Sequence, residues 1–391
     1  MLAERTVVTV LTGARIITPD ETVDGGAVVI DGGRIAEIGP RRARPLGAGV
    51  VDLPGLILVP GFIDLHVHGG GGLSLASPDP EQTRSYARWA VRRGVTSFLA
   101  TVCAADIDEA LAALGAGAAA VGPVDGGATV LGLNLEGPFV NPERRGALPA
   151  SWPQPPDVAA FQALAAPAGG HLRLMTLAPE LAGAGEVLRA AVAGGISVSV
   201  GHTDASYAEA AAAFRAGASH VTHAFNAMRP FHQREPGPVG AALDSPHAVI
   251  EVIADGVHLH PATVRLLLTA FGPERVALIT DGVDAAGGSG GTFRIAGQEA
   301  VAEGGRVALA DGTIAGSVAT MDEVVRNAVA WGTPLADAAR MASTVPARVA
   351  GAGGRKGRIA PGFDADLVAL DSNLRVAGTW CGGRRVFAAS V

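Results

Sequence analysis

The chain has 391 residues, 48% of them hydrophobic, so it can bury a large core, and a net charge of −7 with no block of Lys or Arg argues against nucleic acid as its partner. Its 54 glycines and 25 prolines together stay below the roughly 25–30% that marks a disordered chain. No apolar run reaches the roughly 18 residues of a membrane span; the start, Met1 to Arg5, lacks a secretory layout; two cysteines, Cys103 and Cys381, make no disulfide framework; the expectation is a soluble, cytoplasmic protein.

Residues 6–10, 14–17, 27–30 and 34–38 carry the β-branched side chains of short strands, with turns at Asp24-Gly25-Gly26 and Asp31-Gly32-Gly33. From residue 57 the pattern becomes strand then helix, repeated. Strands are expected at 57–67, 96–102, 128–135, 172–177, 197–200, 220–223, 249–253 and 276–280. Ala-rich helices fall between them, as at 80–93, 106–120, 185–193, 205–216 and 261–271. Asp106 and Asp204 stand where N-caps would stand, and Gly94, Gly194 and Gly217 where helices would end. Eight strands alternating with helices predict an α/β fold, a (β/α)8 TIM barrel. A Gly-rich insertion at 286–305 follows, with a hairpin expected between 292–295 and 306–309. Helices at 317–331 and 334–349 come next, then strands at 362–370 and 376–387. The two β-rich ends are read as one small β-sandwich domain, 1–58 with 353–391, around a barrel at 59–352.

The chemistry sits at strand ends. In Pro60-Gly-Phe-Ile-Asp-Leu-His-Val-His68, alternation places His66 and His68 on one face, and Gly69 to Gly72 let the chain turn away close to whatever the imidazoles hold. Glu136, His202, His223 and Asp281 end later strands. A parallel barrel delivers every C-terminal strand end to one rim. One strand-end histidine is commonly a satisfied polar group. Five strand ends giving four imidazoles and two carboxylates in one register predict a mononuclear or binuclear site for zinc, iron or a similar divalent ion.

These words, with Leu135-Glu-Gly-Pro-Phe139, Gly201-His-Thr203, Thr222-His-Ala-Phe-Asn-Ala-Met228, Arg234-Glu-Pro-Gly237, Ile253-Ala-Asp-Gly-Val-His258, Ile279-Thr-Asp281, Ala315-Gly-Ser317 and the tail from Lys356 to Leu367, resemble the amidohydrolase superfamily and, within it, the N-acetylglucosamine-6-phosphate deacetylases. The resemblance spans nearly the whole chain. It implies a hydrolase of amino-sugar catabolism or cell-wall recycling that removes acetate from the sugar nitrogen. One ion would be held by Glu136, His202 and His223, and a second by His66 and His68 near Asp281. Asp281 would take the water proton and pass it to the departing amine. Asn226 and the Ala227 backbone match positions at the sugar phosphate, and His258 a substrate-side histidine. Arg234 matches an arginine that reaches the phosphate from a partner subunit, which implies a homodimer. His171, His220, His232, His247 and His260 match no role.

Many superfamily members bridge two metals with a carboxylated lysine. The single lysine, Lys356, lies beyond the barrel, so Glu136 is the only sensible bridge. Some relatives carry a carbonyl-polarising histidine where Leu148 stands, leaving that work to the metals or to Arg144, Arg145 or His232. Other readings are an N-acetylgalactosamine-6-phosphate or other N-acyl hydrolase, a ring deaminase, and a catalytically silent barrel scaffold.

Overall fold

A computed structural model describes residues 8–40, 47–288 and 290–389; the first residues of the expected 6–10 strand, and Ser289 in the insertion, lie outside them. Eight parallel strands form a (β/α)8 barrel in chain order: Phe62–Asp64, Val95–Val102, Thr129–Glu136, Leu172–Leu177, Ser197–Val200, His220–Val221, Val249–Ile253 and Val276–Ile279. Helices cover the outer face, so these strands are buried on both sides and read as near-continuous apolar runs. Leu65, Leu99, Leu174, Val249, Ile253, Ala277 and Ile279 fill the barrel's interior.

The expected strand 57–67 is two strands. Ile57–Pro60 belongs to the small domain and Phe62–Asp64 to the barrel. The chain crosses at Gly61, where a Cβ would fall 2.2 Å from Thr96 Oγ1. An unbroken apolar run hides this change of sheet. The glycine run after His68 serves another purpose than expected. A Cβ on Gly69 would meet the Leu73 carbonyl and one on Gly70 the Trp89 ring, so the close approach is to protein.

Asp106 caps the helix Ile107–Ala119 by accepting from Glu109 N–H at 2.9 Å. Asp204 is not a cap: Ser206 and Glu209 form a capping box on Tyr207–Arg215, and Asp204 is taken by Arg144 and Arg229. The reciprocal Ser-x-x-Glu pairing satisfies two donors, which a lone aspartate two residues earlier does not. Helix 317–331 starts later than expected, at Met321, because Ser317 ends the strand Ile314–Ser317. The stretch 334–349 is broken into Leu335–Ala342 and Thr344–Val349 at Ser343. Pro346 explains the break, since its ring would strike the carbonyl four residues back.

Ile57–Pro60 pairs antiparallel with Leu367–Leu370, so both ends of the chain enter one eight-stranded sheet. Val28, Ile30 and Ile35 from one arm share a core with Leu367, Ala369 and Trp380 from the other. Lys356 is buried against Asp364 and Asp366, with Nζ 3.2 Å and 2.5 Å from their carboxylates. Burial alone would lower its pKa; the two carboxylates overcome that and raise it. The stabilisation is therefore complete below the ordinary lysine value and is lost only as pH rises through the raised one. Lys356→Met, which strands two buried carboxylates, is expected to cost about 3–5 kcal/mol, read as a lower urea midpoint at neutral pH.

The insertion is a four-stranded antiparallel sheet, Gly291–Ile295, Gln298–Glu303, Arg306–Leu309 and Ile314–Ser317. Residues 292–295 pair with 298–301 and not with 306–309. Ala296 and Gly297, both at positive φ, make the two-residue turn that permits this. No helix among the described residues is long and apolar enough to cross a membrane.

Candidate active site

The six side chains expected at the barrel rim converge. Glu136 is the last residue of its strand, and His202, His223 and Asp281 lie two residues beyond theirs. These last three have φ of 46°, 26° and 49°, in the left-handed region that costs non-glycine residues about 1–3 kcal/mol each. The turn aims each side chain across the rim. His66 and His68 follow the strand Phe62–Asp64, on a segment bonded across the barrel's seam: Asp281 N–H donates to the His66 carbonyl and His68 N–H to the Gly282 carbonyl. Closing the barrel thus sets the two histidines against Asp281.

Two overlapping groups result. His202 Nε2 and His223 Nε2 lie 3.0 and 3.1 Å from Glu136 Oε1 and 3.1 Å from each other. His68 Nε2 lies 3.3 Å from Glu136 Oε2 and 3.2 Å from Asp281 Oδ1. His66 Nε2 lies 3.3 Å from Glu136 Oε1 and 3.6 Å from Asp281 Oδ1, yet has no hydrogen-bond partner. All six residues are buried. Ligand atoms around a tetrahedral zinc, with bonds of about 2.0–2.1 Å, stand about 3.3 Å apart. The spacing, the two imidazole nitrogens pointed at each other and the orphaned His66 Nε2 all fit a divalent ion.

The electrostatics agree. Burial would raise the Glu136 carboxyl, but His66 and the hydrogen bonds of His202 and His223 hold it well below its ordinary value. Burial also opposes ionised Asp281; the His68 hydrogen bond and the charges of His66 and His68 bring it down to about 2. The His66 imidazole is pushed up by Glu136 and Glu251 against the cost of burial.

The rim opens into a cavity of about 400 Å3 lined by His68, Glu136, His202, His223, Asp281 and, from the insertion, Ile295, Arg306 and Ile314. A larger cleft of about 1150 Å3 near Arg173 and Lys356 touches none of the six rim side chains. Asn226, Ala227 and His258 also line the site cavity. The Asn226 amide donates to the His223 and Ala224 carbonyls, so its donor is spent on its own loop. His258 donates Nδ1–H to Asp255 at 2.7 Å, and Ser317 also donates to that carboxylate. Burial would lower the His258 pKa; Asp255 raises it. Arg234 is exposed and is not brought to its own chain's cavity. Leu148 does line the cavity, but Arg144, Arg145 and His232 do not. Arg144 is bound to Asp204, and Arg145 to the Leu148 carbonyl. None of the three stands in for the missing histidine.

Three site residues escape the sequence reading. Glu251 accepts from His66 Nδ1–H at 3.0 Å and from the His223 backbone N–H. Asp64 accepts from Thr280 across the seam, and burial, offset by Thr280 and His66, leaves its pKa at about 7. Cys103, at the end of Val95–Val102, lies 3.7 Å from His68 Nδ1. The usable signal was a charge inside Val249-Ile-Glu-Val-Ile253, since a buried carboxylate needs a cationic or donor partner.

The amidohydrolase family model matches residues 57–386. The chain is 38% identical over 381 residues to an N-acetylglucosamine-6-phosphate deacetylase of Bacillus subtilis, covering 95% of each protein. It is equally 38% identical to an N-acetylgalactosamine-6-phosphate deacetylase of Escherichia coli, covering 96% of this chain and 98% of the other. Among solved structures, a mutant N-acetyl-D-glucosamine-6-phosphate deacetylase of Mycobacterium smegmatis, in complex with N-acetyl-D-glucosamine-6-phosphate, superposes with a TM-score of 0.91 at 35% identity. That match covers 98% of this chain and all of the other.

Proposed function

The chain belongs to the amidohydrolase family, and we propose that it hydrolyses N-acetylglucosamine-6-phosphate to glucosamine-6-phosphate and acetate. The observation that carries this reading is the convergence of Glu136, His66, His68, His202, His223 and Asp281 on one cavity, in a chain similar over nearly its whole length to deacetylases of this kind.

In this reading Glu136, His202 and His223 would hold one divalent ion, zinc or iron, and His66, His68 and Asp281, beside Glu136, would hold a second. When bound, a divalent ion supplies Lewis acidity, which acidifies water toward neutral pH and polarises a carbonyl. The remaining steps fall to side chains. Asp281, held ionised, accepts the water proton and returns it to the sugar nitrogen as the C–N bond breaks. That return is needed because an unprotonated amine is a poor leaving group. His258, fixed through Nδ1 by Asp255, keeps Nε2 for the cavity and donates to the acetyl oxygen or a sugar hydroxyl. Glu251 holds the His66 ring so that its Nε2 faces the ion.

The Ala227 N–H has no partner among the described residues, and Ala227 lines the cavity, so this donor is free for a phosphate oxygen. The Arg234 guanidinium also has none, and Phe231, three residues earlier in the chain, is 53% exposed. An unpaired arginine on the same exposed stretch as an aromatic suits a surface that meets a second copy, so we propose Arg234 for the neighbouring site of a homodimer.

The test is acetate release from metal-loaded enzyme with N-acetylglucosamine-6-phosphate, its unphosphorylated form and the galacto epimer. The phosphorylated glucose-configured substrate is expected to lead the unphosphorylated one in kcat/KM by about 100-fold, the worth of roughly two charge-assisted hydrogen bonds at about 1.5 kcal/mol each. Equal values for those two would remove the phosphate from the specificity. A faster galacto epimer would move the substrate to that series.

A further inference from the structure

Each metal-facing imidazole must present one nitrogen to the ion and carry its proton on the other, and what accepts that proton fixes the ring. His66 gives Nδ1–H to the Glu251 carboxylate at 3.0 Å, and His202 gives Nδ1–H to the Arg144 carbonyl at 3.0 Å. His223 Nδ1 has no partner, but its backbone N–H is tied to Glu251. His68 differs from all three: its Nδ1 faces the sulfur of Cys103 at 3.7 Å, within hydrogen-bonding reach of a thiol. Cys103 is 5% exposed, lies at the rim end of Val95–Val102 and lines the cavity.

A lone cysteine beside a histidine would mean little without a sign that an ion belongs there. His66 Nε2 supplies that sign. It is fully buried, it has no hydrogen-bond partner, and it points into the gap bounded by Glu136, Asp281 and His68 Nε2. His68 Nε2 enters the same gap from the other side. The sulfur faces the other nitrogen of the His68 ring, and it also lies close enough to His68 and Glu136 to be weighed against a direct ligand.

We propose that Cys103 is a positioning residue of the second metal site: its sulfur accepts the His68 Nδ1 proton, fixes the ring's tautomer and turns Nε2 toward the ion. The assignment rests on the reading of the six rim residues as a metal centre. Sulfur is a weak acceptor and a larger atom than oxygen, so within the second site His68 is held more softly than the Glu251 carboxylate holds His66.

The test titrates metal-free protein with Co2+ and reads stoichiometry by elemental analysis and ligand geometry by visible and near-ultraviolet absorption. Wild type is expected to take two ions. Cys103→Ala is expected to weaken the second ion alone by about 10–100-fold, the usual worth of an outer partner. Cys103→Ser, which restores an acceptor, is expected to recover part of the loss. Thermal melts of the metal-free variants separate this from a general packing defect, which would weaken both ions together. Two ions held by Cys103→Ala with wild-type affinity would overturn the proposal. So would a sulfur-to-cobalt charge-transfer band in wild type, which would make Cys103 a direct ligand. A wild type that takes no ion at all would instead overturn the metal centre on which the proposal stands.

Discussion

Asp281→Asn is expected to lower kcat for acetate release by about 1000-fold, within the roughly 100- to 10,000-fold range of a positioned acid–base group. KM should change little, since the side chain keeps its shape. Asparagine is the right replacement for a backbone reason. Position 281 sits at φ 49°, a region that asparagine and aspartate enter far more readily than other residues. Alanine there would add strain and confound chemistry with folding. The amide also keeps an oxygen that can face His68 Nε2, now 3.2 Å from the carboxylate. What it cannot do is take a proton from water and hand it to the leaving nitrogen. With its pKa brought down to about 2, Asp281 is ionised at any working pH, so the acid limb of the wild-type rate profile should not be its own. Full activity in Asp281→Asn with intact metal content would assign the proton to another group, and His258 would be the next to test.

The barrel was legible because its signal is periodic and repeated. Strand–helix alternation over more than 200 residues survives errors in any one boundary. The rim residues were legible for a related reason: once the strands are parallel, topology alone carries Glu136, His202, His223 and Asp281 to one face. What the sequence hid was decided by contacts between distant segments. Gly61 divides two sheets only because Thr96 lies against it, and nothing in 57–67 marks that. Asp204 looked like a cap because local spacing was the only guide, while its partners Arg144 and Arg229 are 60 and 25 residues away. Glu251 and Cys103 belong to no spacing pattern, and their importance lies in which ring nitrogen they face. Arg144 and Arg145 were plausible replacements at the carbonyl until their guanidinium groups were seen to be committed elsewhere.

Glu136→Ala and His66→Gln should separate the two halves of the metal centre. Glu136 offers Oε1 to His202, His223 and His66, and Oε2 to His68, so its carboxylate is common to both groups. Removing it leaves four imidazoles around a cation with only Asp281 to offset the charge. The first group then keeps only His202 and His223, while His66, His68 and Asp281 remain three, so Glu136→Ala is expected to lose the first ion, weaken the second and lose at least about 1000-fold in turnover, the several kcal/mol that a metal's activation of water and carbonyl supplies. His66→Gln touches only one half. Glu136, His202 and His223 still stand 3.0–3.1 Å apart, so the variant should hold one ion and retain measurable acetate release. Elemental analysis of both proteins after identical reconstitution gives the comparison, and circular dichroism shows that each is folded. Loss of both ions in His66→Gln would mean that neither half binds alone, and the six residues would then form one binuclear unit whose first ion depends on the second.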